Sequence, residues 1–508
     1  MDVFLGVDIG TSGAKALAIN ADGEILASAV REYPCYHPRP LWSEQDPEDW
    51  WKGTCLAIRD LVGQGKFSGH EVRAMGLSGQ MHGSVFLDEQ DAVIRPALLW
   101  NDQRTAAECD QIEQRAGGRE ALISMVANPA LTGFTAPKIL WLRNHEPENF
   151  SRTKRLLLPK DFVRLRLTGE CATDVSDASG MLLLDVRKRD WSTDLLSALD
   201  LPESLLAKCV ESHEPTGTLR KDVSDELGLS EKCVVVGGAG DCAAGAVGNG
   251  IVRSGLASTS IGTSGVVFVH SDEPRIDPAG RAHTFCHAVD GAWHLMGVSL
   301  SAGGTLQWFR DALAPELAEK CLAEGLSAYE ALTKEAMNVP PGSEGLFCLP
   351  YWAGERTPHA DPNARGCLIG MTLAHGRGHV VRAIMEGVTF ALRDSLEIFK
   401  ELGVPIEQIR ASGGGAKSEF WRQIQADTFG QPVTTINAEE GPAYGVALLA
   451  TVGAGAHKTI QAACENAISI TSEMSPSRED QAAYEEAYAT FRSLYPALAP
   501  SFERISAS

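Results

Sequence analysis

The chain has 508 residues, 44% hydrophobic and 22% charged, a composition typical of a globular protein with ample core and room for two or three domains. Its formal net charge of −21 opposes binding to nucleic acid or anionic lipid, and no basic run offsets it. The 12 cysteines are scattered singly from Cys35 to Cys464 without a C-x-x-C pair, which excludes a disulfide framework and a zinc ribbon. No apolar stretch reaches the length of a membrane span, and the N-terminus carries neither a basic region nor a small-residue cleavage site, so the expected location is the cytoplasm. A protein this acidic can bind a phosphorylated ligand only through local backbone N–H groups and a metal.

In chain order, the β-branched run "VFLGVDI" (3–9) predicts a buried strand ended by Gly10. The segments "AKALAIN" and "EILASAV" flank Asp22-Gly23, predicting a strand–turn–strand unit. Asp46 is placed to cap a helix with Pro47 in its first position, and Trp51, Cys55, Ile58 and Val62 recur at helical spacing. A strand over 72–77 runs into the loop "SGQMHG", and "PALLW" delivers "NDQR" (101–104) to a strand end. The second half restarts the programme. "KCVVVGG" (232–238) predicts a strand, "AGDCAAGAVGNG" a glycine-rich turn into a small-residue helix, and "LASTSIGTSGVVFVH" a strand, turn and strand. "ASGGGAKSEFWRQIQADTFGQPV" then predicts a strand end, a triple-glycine turn and a helix from Ser418 to Gly430. With no low-complexity linker, the boundary near 245–255 is expected to be a structured hinge between two α/β domains of similar size.

The five-residue turn "IGTSG" occurs twice, at Ile9 and Ile261. Its glycines let backbone N–H groups approach phosphate oxygens, its hydroxyls add donors, and two copies facing each other would clamp a polyphosphate. Walker and Rossmann loops are absent. Asp8, before the first turn, is either a turn cap or a Mg²⁺ holder. Asp241, in "GGAGDCAAG", is either a helix cap or a general base for a substrate hydroxyl. Met81 and His82, with Asn101 and Asp102, are either core residues or a polyol-binding wall. "HTFCHAVDGAWH" (283–294) reads as a strand, a turn at Asp290-Gly291 and a strand rather than as a zinc site. Ser12 and Lys15 spell S-x-x-K without the companion motifs of acyl enzymes, so that reading is rejected.

Assembled, these pieces resemble the FGGY carbohydrate kinases of the actin–hexokinase–Hsp70 superfamily over essentially the whole chain. "GFTAPKILWLRNH" (133–145) and "GCLIGMTLAHGRGHVVRAIME" (366–386) are similar to the family's two signatures. The resemblance implies an α/β fold of two actin-like (ribonuclease H-like) domains around a cleft. Residues 1–247 would carry the sugar side and the first phosphate turn, and 248–508 the second phosphate turn and the adenosine site. "LWSEQDPEDWW", "SGQMHG", "LWNDQR", "LLPKDFVRLRLTGE" and "GERTPH" resemble the branch that phosphorylates D-xylulose at its 5-hydroxyl with ATP and Mg²⁺. By that resemblance Asp241 is the base and Asp8 serves the metal. Met81, His82 and Asp102 join Asp241 at the sugar, while Thr11, Ser12, Gly262, Thr263, Gly304, Gly414, Gly415 and Ala416 hold ATP. Cys242 departs from the Asn or Gln expected after the base, which leaves ribulose, glycerol or a hexulose as rival acceptors, and "GTLQW" (304–308) also varies. A nucleotide switch without an acceptor is the rival from another class. Dimers are common among such relatives, but no stretch of the sequence identifies an interface.

Overall fold

The computed structural model describes residues 1–438 and 440–506. Val3–Ile9 (β1) is apolar at every position except Gly6 and Asp8, and a run that apolar needs cover on both faces. It lies inside a seven-stranded sheet. β1 pairs antiparallel with Gly13–Asn20 (β2), and β2 pairs antiparallel with Ile25–Glu32 (β3). On its other side β1 runs parallel to Val72–Gly79 (β4). Pro215–Thr218 (β5) forms the edge, antiparallel to Val234–Val236 (β6), which runs parallel to β4; Ala239–Gly240 (β7) continues beside the end of β4.

The second half repeats this order. Gly255–Ile261 (β8) pairs antiparallel with Gly265–Ser271 (β9), and His283–Cys286 (β10) lies beyond Trp293–Ser299 (β11) on that side. On the other side come Ile406–Ser412 (β12) and Val433–Ile436 (β13), both parallel, then Ile470–Met474 (β14), antiparallel. The outer antiparallel strand precedes its neighbour in the first sheet and follows it in the second. The duplicated turn therefore joins the same two strands in each lobe.

The helix Pro47–Gly63 starts as expected, with Asp46 accepting from the Glu48 N–H at 3.0 Å. Its buried face is Trp50, Thr54, Ala57, Ile58 and Leu61, while Trp51 and Val62 are only half-buried. Of the expected stripe, Cys55 and Ile58 are buried; Trp50 takes the inward place expected of Trp51, its indole N–H donating to Gln45 at 3.0 Å. Ser418 caps Glu419–Phe429, and Gly430 ends that helix at φ +66°.

Two helices join the lobes. Gly441–Gly453 belongs to the second half of the chain but packs on the first sheet. A Cβ on Gly6 would lie 1.8 Å from the Ala443 carbonyl oxygen, and one on Gly76 would lie 2.1 Å from that of Val446. Asp241–Gly248 crosses the same helix equally closely: a Cβ on Gly445 would lie 1.8 Å from the Ala244 carbonyl. Phe4, Leu17, Ala74, Ala244, Val446 and Leu449 share the resulting core. A second bridge is formed where Phe285 and Met296 of the second sheet enter the core of Phe134, Trp141 and Met181.

This contact leaves no space for a methyl group, so Gly445→Ala should lose about 1–3 kcal/mol by overpacking. Gly63→Ala, which points into open space, should be neutral. Urea unfolding of the two variants checks this, and equal stabilities would refute the account of the crossing.

Candidate active site

The two turns share a sequence but close at different residues and are supported differently. In the first, Gly10 N–H donates to the Gly13 carbonyl at 3.0 Å. Thr11 receives the Trp100 indole N–H at 3.0 Å and donates to Gln80 at 3.2 Å, tying the turn to the segment that carries Met81 and His82. In the second, Gly262 N–H donates to the Ser264 carbonyl at 3.0 Å, and the Thr263 carbonyl accepts from Ala302 and Gly304 at 2.8 and 3.1 Å. Gly303 and Gly413 press on this turn: a Cβ on either would meet the Gly262 or Ile261 carbonyl at 2.5 or 2.7 Å. The start of the helix Gly303–Leu313 thus lies against Thr263, whose carbonyl takes up the Gly304 N–H.

Thr263, Gly262, Gly304, Gly414 and Gly415 line a cavity of about 900 Å³ that also takes in Tyr329, and a second, of about 710 Å³, is lined by Asp241, Cys242, Gly414 and Ala416. The two meet at Gly414 and Lys417. Thr11 and Ser12 line neither; they stand on the opposite lobe.

Asp8 and Asp241 border the cleft and act on each other electrostatically. Burial and the Asp241 charge push the Asp8 carboxyl up to about 7, against the Ser78 hydroxyl and the Lys15 ammonium. Its Oδ1 is buried without a hydrogen-bond partner. Asp241 is the first residue of its helix, with Gly240 in the cap position, and burial raises its proton affinity while the Cys242 thiol and N–H oppose the shift.

His82 has φ +68°, a left-handed conformation that is strained for a residue with a Cβ. Its carbonyl is held from behind by the Lys138 ammonium at 2.8 Å and the Thr135 hydroxyl at 3.1 Å, both fully buried on the helix Thr135–His145. Nδ1 lies 2.7 Å from the Gly180 carbonyl, which can only accept, so Nδ1 carries the proton. Burial, then the Lys138 charge, hold the ring neutral by pushing its pKa down to about 3. Nε2 is left as an acceptor. Met81 lies between Gly180 and Gly240, close enough that a Cβ on either glycine would meet it at 2.9–3.0 Å. Asp102 is fully buried and its oxygens are occupied: Arg104 grips both, and the Ser43 N–H donates at 2.7 Å. It reaches His82 indirectly, since its charge supports the Lys138 ammonium, which burial pulls down to about 7.

Sequence reasoning missed the groups behind Asp241. Lys160, with zero exposure, pairs with Asp161, Asp174 and Asp177 at 2.7, 2.9 and 3.4 Å. Arg164 donates to the Val236 and Gly237 carbonyls at 2.6 and 2.5 Å, and the Gly240 N–H donates to Ser176 at 3.2 Å. Together they hold the strand that ends at Asp241. The available signal was the charged residues Lys160, Asp161 and Arg164 interleaved with Phe162, Val163 and Leu165 on one short helix. The histidines of 283–294 lie on β10, β11 and the turn between, with His283 stacked on Phe285 and His294 on Phe268. No group of three or more metal-binding side chains occurs among the described residues.

Because folding raises the Asp8 pKa, the native state holds that proton more tightly than the unfolded chain. The associated stability is present below pH 4 and is lost as the pH rises through about 7. Asp8→Asn should therefore raise the Tm of the ligand-free protein at pH 8 by a few degrees, a gain that shrinks toward pH 5. Scanning calorimetry at the two pH values checks the sign; an unchanged or lowered Tm at pH 8 contradicts it.

Residues 3–248 match the model of the N-terminal domain of the FGGY family of carbohydrate kinases, and 257–454 match that of its C-terminal domain. The chain is 42% identical to the xylulose kinase of Escherichia coli over 98% of its length and 99% of the relative's. It is 39% identical to that of Bacillus subtilis over 97% of each. The crystal structure of xylulose kinase from Rhodospirillum rubrum superposes with a TM-score of 0.90 at 28% identity, covering 99% of this chain and 100% of that one. Two lobes with the same strand order, a glycine-threonine turn in each and a carboxylate at the start of the joining helix fit these matches, and the chain belongs to the FGGY family of carbohydrate kinases.

Proposed function

We propose that the cleft transfers the γ-phosphoryl group of ATP to the 5-hydroxyl of D-xylulose. The observation that carries this reading is Asp241: a carboxylate with raised proton affinity, at the start of the helix joining the lobes, on a cavity shared with the Gly413–Lys417 turn. The named relatives, which are xylulose kinases, support the choice of sugar.

In this reading adenosine lies in the 900 Å³ cavity beside Gly414, Gly415 and Ala416. Gly262, Thr263 and Gly304 form the phosphate side, the glycines letting the chain approach closely and Thr263 donating its hydroxyl, aided by the dipole of the helix that starts at Gly303. Closure of the lobes brings Thr11 and Ser12 across to the other side of the phosphate tail and excludes water, which would compete as acceptor. Asp8 suits Mg²⁺: its Oδ1 is buried and unpartnered, and a hard cation bound through one carboxylate needs phosphate oxygens and waters for the rest of its shell. The ion would neutralise charge on the phosphates. The sugar lies against Met81 and His82, with Nε2 of His82 accepting a hydrogen bond from a sugar hydroxyl and Asp102 acting through Lys138. Asp241 accepts the proton of the 5-hydroxyl as that oxygen attacks the γ-phosphorus and the bond to the β-phosphate oxygen breaks, releasing ADP. The transition state is loose, so positioning and charge stabilisation account for most of the rate.

The working halves divide at 247 and 248, with the sugar side first and the adenosine side second. A cytoplasmic enzyme without nucleic-acid or membrane partners completes the reading, as does a homodimer, the last drawn from the resemblance alone. No helix among the described residues is long and apolar enough to cross a membrane.

Asp241→Asn should lower kcat by a factor on the order of 10²–10⁴ while ATP affinity stays within about threefold. Coupled ADP release measures this, and undiminished turnover removes Asp241 from the role. Run on the wild type over D-xylulose, ribulose, glycerol and a hexulose, the assay should rank D-xylulose first. ATP turnover that ignores every sugar would favour the nucleotide switch instead.

A further inference from the structure

Arg356 is the unexplained charge in this cleft. Buried guanidinium groups elsewhere in the chain are spoken for: Arg164 by carbonyls, Arg382 and Arg393 by glutamates, Arg422 by the Ala416 carbonyl. The Arg356 side chain has no hydrogen-bond or ion-pair partner among the described residues; only its backbone N–H is engaged, donating to Glu355 at 2.7 Å. Glu355, the opposite charge that acts on it, makes no hydrogen bond or ion pair with the guanidinium; its carboxylate accepts from the Ser299 hydroxyl at 2.7 Å and the Leu300 N–H at 3.0 Å. On the other side Thr357 N–H donates to the Val298 carbonyl at 3.0 Å, and its hydroxyl donates to the Arg281 carbonyl at 3.1 Å. The chain is thus anchored firmly on both sides of a cation left without a partner. Arg356 is half-buried, so its guanidinium is held by no protein group among the described residues and stays free to donate to a ligand that enters from solvent.

The surroundings say which end of the ligand. Away from Asp241 the pocket wall runs from Gly240 to Met81, then to His82, whose ring lies 4.9 Å from Phe134, and on to His283, 5.7 Å beyond Phe134. Arg356 belongs to this side of the cleft by its neighbours: Thr357 is bonded to Val298, which pairs with Val266 on the cavity that holds Asp241, and to the Arg281 carbonyl two residues before His283. An open-chain ketopentose with its 5-hydroxyl at Asp241 presents its C1–C2 end there. A guanidinium only donates hydrogen bonds, and the C2 carbonyl oxygen only accepts them.

We propose that Arg356 is a specificity-determining residue that reads the carbonyl end of the sugar, donating to the C2 carbonyl oxygen from the second lobe while His82 holds the chain from the first. This rests on the sugar pocket described under the proposed function. Arg356 thereby favours a ketose over the polyol of the same carbon skeleton, because the reduced C2 moves its oxygen out of the carbonyl plane and adds a hydroxyl hydrogen that a guanidinium cannot accept.

The test is steady-state kinetics of Arg356→Met and Arg356→Lys, with xylitol as competitive inhibitor to represent the reduced C2. Loss of a charged hydrogen bond should raise KM for D-xylulose by about 10- to 100-fold in the methionine variant, with the KM for ATP within about twofold of wild type. The Ki of xylitol should rise by a smaller factor, and the lysine variant, which keeps a donor, should recover part of the loss. An unchanged KM for D-xylulose, a KM for ATP that rises in parallel, or an equal penalty on xylitol overturns the assignment. Should the methionine variant fail to fold, the lysine variant decides by the same comparison. His82→Ala separates the two layers: if it too leaves the sugar KM unchanged, the pocket reading fails, whereas a raised KM there beside an unchanged one in Arg356→Met removes Arg356 alone.

Discussion

The backbone crossing of the helices Asp241–Gly248 and Gly441–Gly453 is the constraint on which the rest depends. Each helix meets the other where a side chain would not fit, at Gly445 and Gly248, and the second is pressed on the first sheet at Gly6 and Gly76. Glycine contacts of this kind transmit displacement because no side chain is available to adjust. Asp241 begins one of the two helices, and the 710 Å³ cavity reaches Pro442 at the start of the other. Rotation of the lobes is therefore coupled at close range to the carboxylate proposed as base. The Lys15–Glu440 ion pair, from strand to helix across the same junction, adds a second tie close to Asp8.

A protein with a net charge of −21 and several cleft carboxylates must still accommodate a triphosphate. Raised proton affinity eases the conflict. Asp8 at about 7 is close to half protonated at neutral pH before a cation arrives, and Asp241 and Asp177 are shifted the same way by burial. The phosphate-facing turns offer hydroxyls and N–H groups rather than basic side chains, so the cradle does not depend on titration. Positive charge sits behind the site instead: Lys160 and Lys138 have zero exposure, and each fixes backbone or carboxylates that in turn hold a residue facing the cleft.

Local features were legible in the sequence because they are decided by neighbours in the chain. The β1–β2 and β8–β9 hairpins, the Asp46 and Ser418 caps and the αL stop at Gly430 follow from turn chemistry and periodicity. On Pro47–Gly63 periodicity places Cys55 and Ile58 inside but not the tryptophan, because the Trp50–Gln45 bond, a polar contact outside the apolar pattern, decides which tryptophan turns inward. The packing of Gly441–Gly453 on the first sheet could not be read, since small residues spaced along a helix do not say which sheet they fit. Candidate positions such as Asp241 and His82 stood out by local context. The support of His82 by Thr135 and Lys138, and the enclosure of Asp102 by Arg104 and Ser43, join residues far apart in sequence, and spacing alone cannot reveal them.

His82 shows how these layers depend on one another. Its left-handed backbone is strained, and it persists because two buried donors from one helix hold its carbonyl while its ring is tied to Gly180. The Asp102 charge favours the ammonium form of Lys138, and Asp102 is itself gripped by Arg104, which lies 3.5 Å over the Trp42 ring. The ring's neutral state, and with it the acceptor at Nε2, follows from burial and from that same Lys138 charge. Substitutions along this chain should therefore be non-additive: once Lys138 is gone, removing Asp102 as well has little left to disturb at His82. That coupling separates a supporting role for Asp102 from direct contact with the sugar, because direct contact would make the two losses sum.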